Sequence, residues 1–250
     1  MIIKKKQDCK YKNIEYASLG VRMIEFLKKT LGRICPFYAI IPLIGSFVLE
    51  TTIYEGSKLF VQGRHHFDFT TDFDRGVPVI SWFSLIYFGC YLFWIVNFIL
   101  LTRISKEHFY QTVCAIYLSY IICAIIFIAL PTTNVRPEVM GNSIGDILLR
   151  AIYAMDTPEN LFPSIHCSVS WFCYIAVRGK KEIPKAYQIF SLVFAILVVI
   201  STQVTKQHYY VDIIGGIALA EFCCWIVKKK GLYKSFQGFF EKVNRKCHME

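Results

Sequence analysis

The sequence has 250 residues, of which 55% are hydrophobic and 18% are charged, and its formal net charge is +10. A soluble domain usually contains about 45–50% apolar and about 25% charged residues. The apolar excess lies in uninterrupted blocks of about 16–24 residues, long enough to cross or nearly cross a hydrocarbon core of about 30 Å. This pattern excludes a disordered chain, a collagen-like fibre and a secreted disulfide scaffold. It predicts an all-α polytopic membrane protein.

The first predicted element is a basic cytoplasmic segment, residues 1–33, in which 14–33 has the pattern of an amphipathic helix lying in the inner membrane interface. A six-transmembrane helix bundle follows at 34–228, and residues 229–250 are predicted to form a basic cytoplasmic tail. The predicted spans are 34–54, 79–102, 110–130, 163–178, 186–204 and 209–227.

Lysine and arginine are distributed unevenly between the two sides of this bundle. Of the 28, 22 lie in the two terminal segments, the second counted from Lys228, and in the loops 103–109 and 178–185, whereas six lie in the loops of the other side. Because cytoplasmic loops carry the Lys/Arg excess, both termini are expected in the cytoplasm, in a protein of the cell membrane. The excess is explained by topology and by attraction to anionic lipid. No nucleic-acid recognition motif accompanies it, so no nucleic-acid partner is expected.

Two clusters of ionisable residues lie at span ends on the predicted extracytoplasmic side. The sequence N-L-F-P-S-I-H at 160–166 puts His166 in the first turn of the fourth span, where unpaired N–H groups and the helix dipole favour anions. The sequence K-Q-H-Y-Y-V-D at 206–212 opens the sixth span. His208 and Asp212 are four residues apart there, so we expect them to share a helix face and form a hydrogen bond.

A third element of the same side is Arg136, in the sequence N-V-R-P just beyond the third span. Arginine binds phosphate in a bidentate manner, while one histidine can attack phosphorus and a second can protonate the leaving group. Each residue taken singly has a structural explanation, but titratable groups clustered at one interface indicate a functional site. The cluster therefore predicts a phosphate site at the extracytoplasmic face.

These residues resemble the motifs of the type 2 phosphatidic acid phosphatase superfamily, which are K-x6-R-P, P-S-G-H and S-R-x5-H-x3-D. The second motif appears here as P-S-I-H at 163–166, and the third appears as S-T-x5-H-x3-D at 201–212. The first survives only as Arg136-Pro137. The resemblance covers about residues 70–228, the family-like core of the six-span catalytic domain.

The resemblance implies that His208 attacks phosphorus to form a phosphohistidine, held by Asp212. His166 would protonate the leaving alkoxide and then activate the acceptor. Neither a metal nor a cofactor is expected. The family's lysine falls on Ala129 and its third-motif arginine falls on Thr202, so two phosphate-binding cations are missing. The residues expected to bind the phosphate oxygens instead are Arg136, Lys206, Ser164, Ser201 and Asn160.

Three functions are compatible with this sequence. A lipid phosphatase acting on a phosphomonoester or diphosphate lipid is favoured, because the polar, charged loop 131–162 is expected to keep the site wet. The run at 205–212 resembles the inositol phosphorylceramide synthase branch, which, like the sphingomyelin synthases, transfers a phospho-headgroup to a lipid alcohol. The third function is a non-catalytic scaffold or transporter, although the sequence has no internal repeat.

Two further features receive a structural interpretation. His65 and His66 with Asp68 match no zinc-ligand spacing, so we expect no metal there. Glu221, near the middle of the sixth span, is expected to be protonated and hydrogen-bonded between helices. The expected partners are a lipid phosphate substrate and the bilayer, and no oligomeric state is predicted.

Overall fold

The computed structural model of the chain describes residues 32, 34–247 and 249, so the amphipathic helix predicted over 14–33 lies outside the described residues, apart from Gly32. Two two-residue strands, β1 Phe67–Asp68 and β2 Thr132–Thr133, pair in parallel. The helices are α1 Phe37–Val61, α2 Asp72–Gly76, α3 Ser84–Ile104, α4 Lys106–Ala129, α5 Ile144–Met155, α6 Ile165–Val177, α7 Lys185–Val204, α8 Tyr210–Lys230 and α9 Leu232–Lys246.

Among the described residues, five helices are long and apolar enough to cross a membrane, namely α1, α3 with the 3-10 turn before it, α4, α7 and α8. The chain is therefore an integral membrane protein. Helix α6, which corresponds to the predicted fourth span at 163–178, has 13 residues and a length of about 20 Å, less than a hydrocarbon core of about 30 Å. The count of six spans is therefore not established by helix length and stays a prediction.

Helix α6 lies at the centre of the bundle, in contact with α3, α4, α7 and α8. Its side chains Val169 and Phe172 pack with Phe127 of α4 and with Ala220 and Cys223 of α8 in one buried cluster. Because protein surrounds this helix, its length need not match the thickness of the bilayer. Helix α1 stands at the outside of the bundle and packs on α4 and α9.

The first turns of α6 and α8 lie directly against each other. A side chain at Gly216 would collide with the Ser164 carbonyl, so this contact requires glycine. Across it the Ser164 N–H donates to the Asp212 carbonyl at 3.0 Å. This close approach brings together the two chain segments that carry His166 and His208.

The segments that connect the helices at this end form a hydrogen-bonded layer. The Phe67 N–H donates to the Pro131 carbonyl at 2.8 Å, and the Ile80 N–H donates to the Val204 carbonyl at 3.0 Å. Helix α5, within the segment predicted as a loop at 131–162, begins with a capping box formed by Ser143. The layer fixes the turn before α8 relative to the rest of the bundle.

At the opposite end, the residues predicted as a tail contain helix α9. Phe240 and Asn244 are buried against α1 and α4, and Lys106 is 2.9 Å from Glu241. Helix α9 therefore covers the contact between α1 and α4 at this end of the bundle.

Glu221 is hydrogen-bonded between helices, as expected, but the expectation that it is protonated is wrong. Its Oε1 accepts from Arg178 Nη1 and from Trp171 Nε1, both at 2.9 Å, and its Oε2 accepts from Arg178 Nη2 at 3.2 Å. Because Arg178 directly follows α6, its guanidinium reaches the third turn from the end of α8. Glu221 is therefore one side of a bidentate ion pair, in which the carboxylate is charged.

Candidate active site

His208 lies in the turn between α7 and α8 and is 5% exposed. Its Nδ1 is 3.1 Å from the Leu161 carbonyl oxygen, and its backbone N–H donates to the Thr202 carbonyl at 3.1 Å. Since a carbonyl oxygen can only accept, Nδ1 carries the proton and Nε2 keeps its lone pair.

The hydrogen bond expected between Asp212 and His208 is not formed. Asp212 Oδ2 lies 3.7 Å from Nδ1 and accepts the Tyr209 N–H at 2.9 Å, because it caps the first turn of α8.

His166 is the second residue of α6 and has aromatic neighbours from one face of α3. Its Nδ1 is 3.4 Å from the Tyr87 hydroxyl and its Nε2 is 3.4 Å from the Tyr91 hydroxyl. The Trp94 ring centroid lies 5.6 Å from that of His166. The two histidine rings are 5.9 Å apart, a separation that lets both imidazoles reach the ligands of one small anion.

Arg136 lies beside this pair. Its Nη1 donates to the Asp156 carbonyl, its Nη2 donates to Gln207 Oε1 at 2.9 Å, and its guanidinium lies 5.1 Å from the centroid of the Tyr153 ring. Within residues 34–247, Arg136 Nε and Gln207 Nε2 are buried and have no hydrogen-bond partner. Buried donors of this kind are costly unless an acceptor meets them. Arg136 Nε and Gln207 Nε2, the latter on the residue before His208, are therefore candidates to bind the oxygens of an anion.

Lys206 does not occupy the position expected of a phosphate ligand. It is 6% exposed, and its Nζ donates to the carbonyls of Asp74 and Val77 at 2.5 and 2.6 Å. The Asp74 carboxylate in turn accepts from Gln203 Nε2 at 2.8 Å and from the Tyr210 N–H at 2.9 Å. Burial lowers the pKa of Lys206, an effect that the charge of Asp74 opposes. The ammonium therefore fastens the segment after α2 to the turn before α8.

Two of the other predicted phosphate ligands are also used elsewhere. Asn160 Nδ2 donates to the Tyr54 carbonyl at 2.9 Å and to Ser57 Oγ at 2.8 Å, both in α1. Ser201 Oγ donates at 2.7 Å to the carbonyl three residues earlier in α7. Ser164 does lie at the site, because its Oγ caps the N-terminus of α6. The structure thus brings together His166, His208, Asp212, Arg136 and Ser164, and it directs Lys206, Asn160 and Ser201 to other partners.

Asp156 is a site residue that the sequence analysis missed. It directly follows α5, and its carboxylate accepts from the Tyr54 hydroxyl and, at 3.2 Å, from the Tyr87 hydroxyl. A tyrosine hydroxyl that donates to Asp156 can accept from Nδ1–H of His166, which leaves Nε2 of that ring as the basic nitrogen. The sequence did contain one signal for these neighbours of His166. The spacing of Tyr87, Tyr91 and Trp94 puts three aromatic rings on one helix face.

A cavity of about 710 Å³ adjoins His166. It lies between α1 and α3, and its inner wall includes Tyr87, Asp156 and His166. At its rim Phe47 is 71% exposed and Ile95 is 57% exposed, both on helices long enough to cross the membrane. The cavity therefore opens sideways, toward the medium that surrounds the bundle.

Comparison with known proteins agrees with this geometry. A family model described as the PAP2 superfamily matches residues 59–226, which is more than half of the chain and includes Arg136, His166, His208 and Asp212. A direct comparison with curated proteins finds no match.

Proposed function

The chain belongs to the PAP2 superfamily, and on that premise we propose that it is an integral-membrane phosphatase that hydrolyses a lipid phosphate through a phosphohistidine. One observation carries the proposal. Two imidazole rings lie 5.9 Å apart at the N-terminus of a helix, beside Arg136, and one of them lines a cavity that opens between two membrane helices. This arrangement suits a lipid phosphate, because its anionic phosphate can bind beside the histidines and its hydrocarbon chain can enter the cavity.

In the proposed reaction Nε2 of His208 attacks phosphorus, and the bond from phosphorus to the leaving alkoxide breaks. His166 acts in this step as an imidazolium and gives the proton on its Nε2 to that alkoxide. The neutral Nε2 then takes a proton from water, which attacks the phosphorus of the phosphohistidine, breaks its P–N bond and releases phosphate. Asp212, 3.7 Å from Nδ1, stabilises the positive charge that the His208 ring gains. Arg136 Nε, Gln207 Nε2 and the first amides of α6 bind the phosphate oxygens, on which negative charge builds up.

We also propose that the site faces the extracytoplasmic side and that both termini are cytoplasmic, with α6 completing six crossings. The charge distribution supports this arrangement, since 22 of 28 Lys and Arg residues lie on the side of the termini. Single cysteines introduced at positions 140 and 181 of a cysteine-free protein test it. A membrane-impermeant thiol reagent should label position 140 from outside and position 181 only after permeabilisation. Labelling of both from the same side would contradict the arrangement.

The activity is tested with purified protein in vesicles that contain a lipid phosphate. Inorganic phosphate should be released without an added acceptor, should continue in EDTA and should fall with vanadate, which imitates five-coordinate phosphorus. His208→Ala protein in matched vesicles is the control. Loss of activity in EDTA that Mg²⁺ or Zn²⁺ restores would point to a metal site instead, with the His65–His66 loop as the first candidate.

A lipid phosphotransferase is the second candidate, and the lateral opening of the cavity favours it. A lipid alcohol from the bilayer can reach His166 by the same route as the substrate, and His208 is nearly closed to solvent. The phosphate-release assay is therefore repeated with diacylglycerol, ceramide and inositol lipids. Phosphate that appears only in a new lipid headgroup would identify a transferase. If neither free phosphate, nor a new phospholipid, nor a phosphoenzyme is formed, the protein is a non-catalytic scaffold or transporter.

A further inference from the structure

Helix α5, within the segment expected to be a polar loop, has three faces. One face is buried against the bundle and consists of Gly145, Leu149 and Ile152. The second face is polar and consists of Asp146, Arg150 and Tyr153. The third face is apolar, and its members are Ile144, Ile147, Leu148, Ala151, Ala154 and Met155. At 3.6 residues per turn the apolar face covers an arc of about 120°.

The apolar face is the one that the bundle leaves uncovered. Ile144, Ile147 and Met155 are 63%, 54% and 73% exposed. Because Ile144 and Met155 are the first and the last residue of α5, the exposed face extends over the whole helix, a length of about 18 Å. A contiguous exposed apolar surface of this kind marks a place where a partner replaces water.

The two charged residues of α5 lie outside this face and are bonded within the protein. Asp146 accepts from the Ser143 N–H at 3.0 Å in the capping box. Arg150 Nη1 donates to the carbonyls of Val139 and Gly141 at 2.9 and 2.6 Å. The apolar face therefore carries no charge with which to attract an ionic partner.

Two attachments determine how α5 lies on the bundle. At its start the Ser84 hydroxyl donates to the Gly145 carbonyl at 3.1 Å, and a side chain at position 145 would collide with the Trp82 backbone. Directly after its end the Asp156 carboxylate accepts from the Tyr87 hydroxyl at 3.2 Å. Ser84 and Tyr87 are only about 5 Å apart along α3, whereas α5 is about 18 Å long. Helix α5 therefore runs across the end of α3 and does not follow its axis.

The apolar face of α5 adjoins the outer surface of a membrane helix. Helix α3 with the 3-10 turn before it is long and apolar enough to cross a membrane, and Trp82 and Leu85 at its start are 53% and 51% exposed. Gly145 packs directly on the Trp82 backbone, so the two exposed segments are neighbours. Tryptophan is frequent where the hydrocarbon core meets the headgroups, and a helix that lies across this level with one apolar face is typical of interfacial helices.

We propose that α5 is an in-plane membrane helix, which inserts its apolar face into the lipid leaflet on the side of the two histidines. Its partner is the hydrocarbon of the lipid chains, because the face has no cation for an anionic headgroup. The segment 131–162 is then solvated on the polar face of α5 and not on the apolar one. Asp156 follows α5 directly, so the leaflet supports the segment that brings this carboxylate to Tyr87.

Spin labels on single cysteines at positions 144, 147 and 155 of a cysteine-free protein test the proposal. In phosphatidylcholine vesicles, the depth of each label is measured from its accessibility to oxygen and to a water-soluble nickel chelate. We expect the three labels about 5–10 Å inside the boundary between headgroups and acyl chains. A label at position 138 is the control, because Glu138 is an exposed, charged residue of the same segment and should lie in water. Addition of anionic phosphatidylglycerol should leave the depths unchanged.

A matched pair of variants shows whether the helix or only the label enters the lipid. In the protein labelled at position 155, Ile147→Glu should move the label toward water, whereas Ile147→Leu should keep its depth, since only the first puts a charge on the apolar face. A label that stays equally deep in both variants would overturn the proposal.

Three other results would overturn it as well. The nickel chelate could reach positions 144, 147 and 155 as readily as position 138, which would place the apolar face in water. The labels could be closed to both reagents and couple between molecules, which would assign the face to a second copy of the chain. Their depth could follow the phosphatidylglycerol content, which would make the partner a headgroup. Because the labels report position and not turnover, His208→Ala protein should give the same depths, so failure of the proposed function leaves this test intact.

Discussion

The two histidines of the candidate site stand in contrasting surroundings. His208 lies in a buried polar turn, where the carbonyls of Leu161 and Thr202 hold its ring and its backbone. His166 contacts the hydroxyls of Tyr87 and Tyr91 at 3.4 Å and lines a cavity open to the side. A nucleophile benefits from one fixed tautomer, whereas an acid that later acts as a base has to gain and lose a proton beside the substrate. The surroundings therefore match the two proposed roles.

The largest expected effect comes from exchanging each histidine for alanine. His208→Ala should form no phosphoenzyme and should lose activity by about 10⁴-fold, because the nucleophile is gone. His166→Ala should still be phosphorylated by a substrate with an activated phenol leaving group, which needs no acid. Phosphoenzyme formation is measured in both variants by adding a substrate labelled in its phosphate, quenching without acid and determining the label that stays on the protein. Label on the His208→Ala protein would reverse the assignment of the two roles.

The second expected effect concerns the contact from Asp156 through Tyr87 to His166. Tyr87→Phe and Asp156→Asn should each lower the rate with an alkyl phosphate by about 10- to 100-fold. Without this contact His166 is poorly aligned with the leaving alkoxide that it protonates. The loss should be much smaller with an activated phenol leaving group. Tyr110→Phe is the matched control, because within the described residues the buried Tyr110 hydroxyl has no partner. Equal losses with both leaving groups would mean that these residues act on folding and not on His166.

The third prediction compares the two cations near His208. Lys206→Met removes an ammonium that binds two carbonyls, so we expect the free energy of unfolding to fall by about 3 kcal/mol while KM stays nearly unchanged. Arg136→Gln should instead raise KM for the lipid phosphate and change stability less. Thermal unfolding in detergent and initial rates measure the two effects. A large rise in KM for Lys206→Met without destabilisation would restore Lys206 as a phosphate ligand.

The smallest expected effect is a pH dependence of stability, which comes from the Asp74 carboxylate beside the turn before α8. Burial raises the pKa of Asp74, but hydrogen bonds from Thr71, the Tyr210 N–H and Gln203 outweigh it and hold that pKa below its ordinary value. A carboxyl whose pKa is lower in the folded state stabilises the fold above about pH 4, and this stabilisation is lost as the pH falls further. The melting temperature should therefore drop in acid.

Asp74→Asn should flatten that acid dependence. Asp72→Asn is the control on the same short helix, because the Asp72 side chain is fully exposed. An equal flattening by both variants would show that the acid dependence has another origin.

Several parts of the site could be predicted from the residues alone, and others could not. Arg136, His166, His208 and Asp212 became candidates, and the structure brings them together, because their spacing and their position at span ends are properties of the linear chain. The hydrogen bond predicted between Asp212 and His208 is not formed. Four-residue spacing aligns two side chains only when both residues are helical, and His208 precedes α8, so Asp212 Oδ2 stays 3.7 Å from Nδ1. Glu50, which lines the cavity beside His166, was overlooked, although the rule applied to Glu221, that an intramembrane carboxyl indicates function, applies equally to it.

The sequence by itself determined that this is a helical membrane protein with its titratable residues clustered at one end of the bundle. These properties follow from the lengths and hydropathy of single segments, which need no knowledge of their neighbours. Only the tertiary structure decided which donors lie at the proposed phosphate site. Lys206 turns to the carbonyls of Asp74 and Val77, and Asp156 reaches Tyr54 and Tyr87, across separations of 69 to 132 residues. The direction of a side chain in a turn depends on acceptors that distant segments supply, and spacing along the chain does not contain that information.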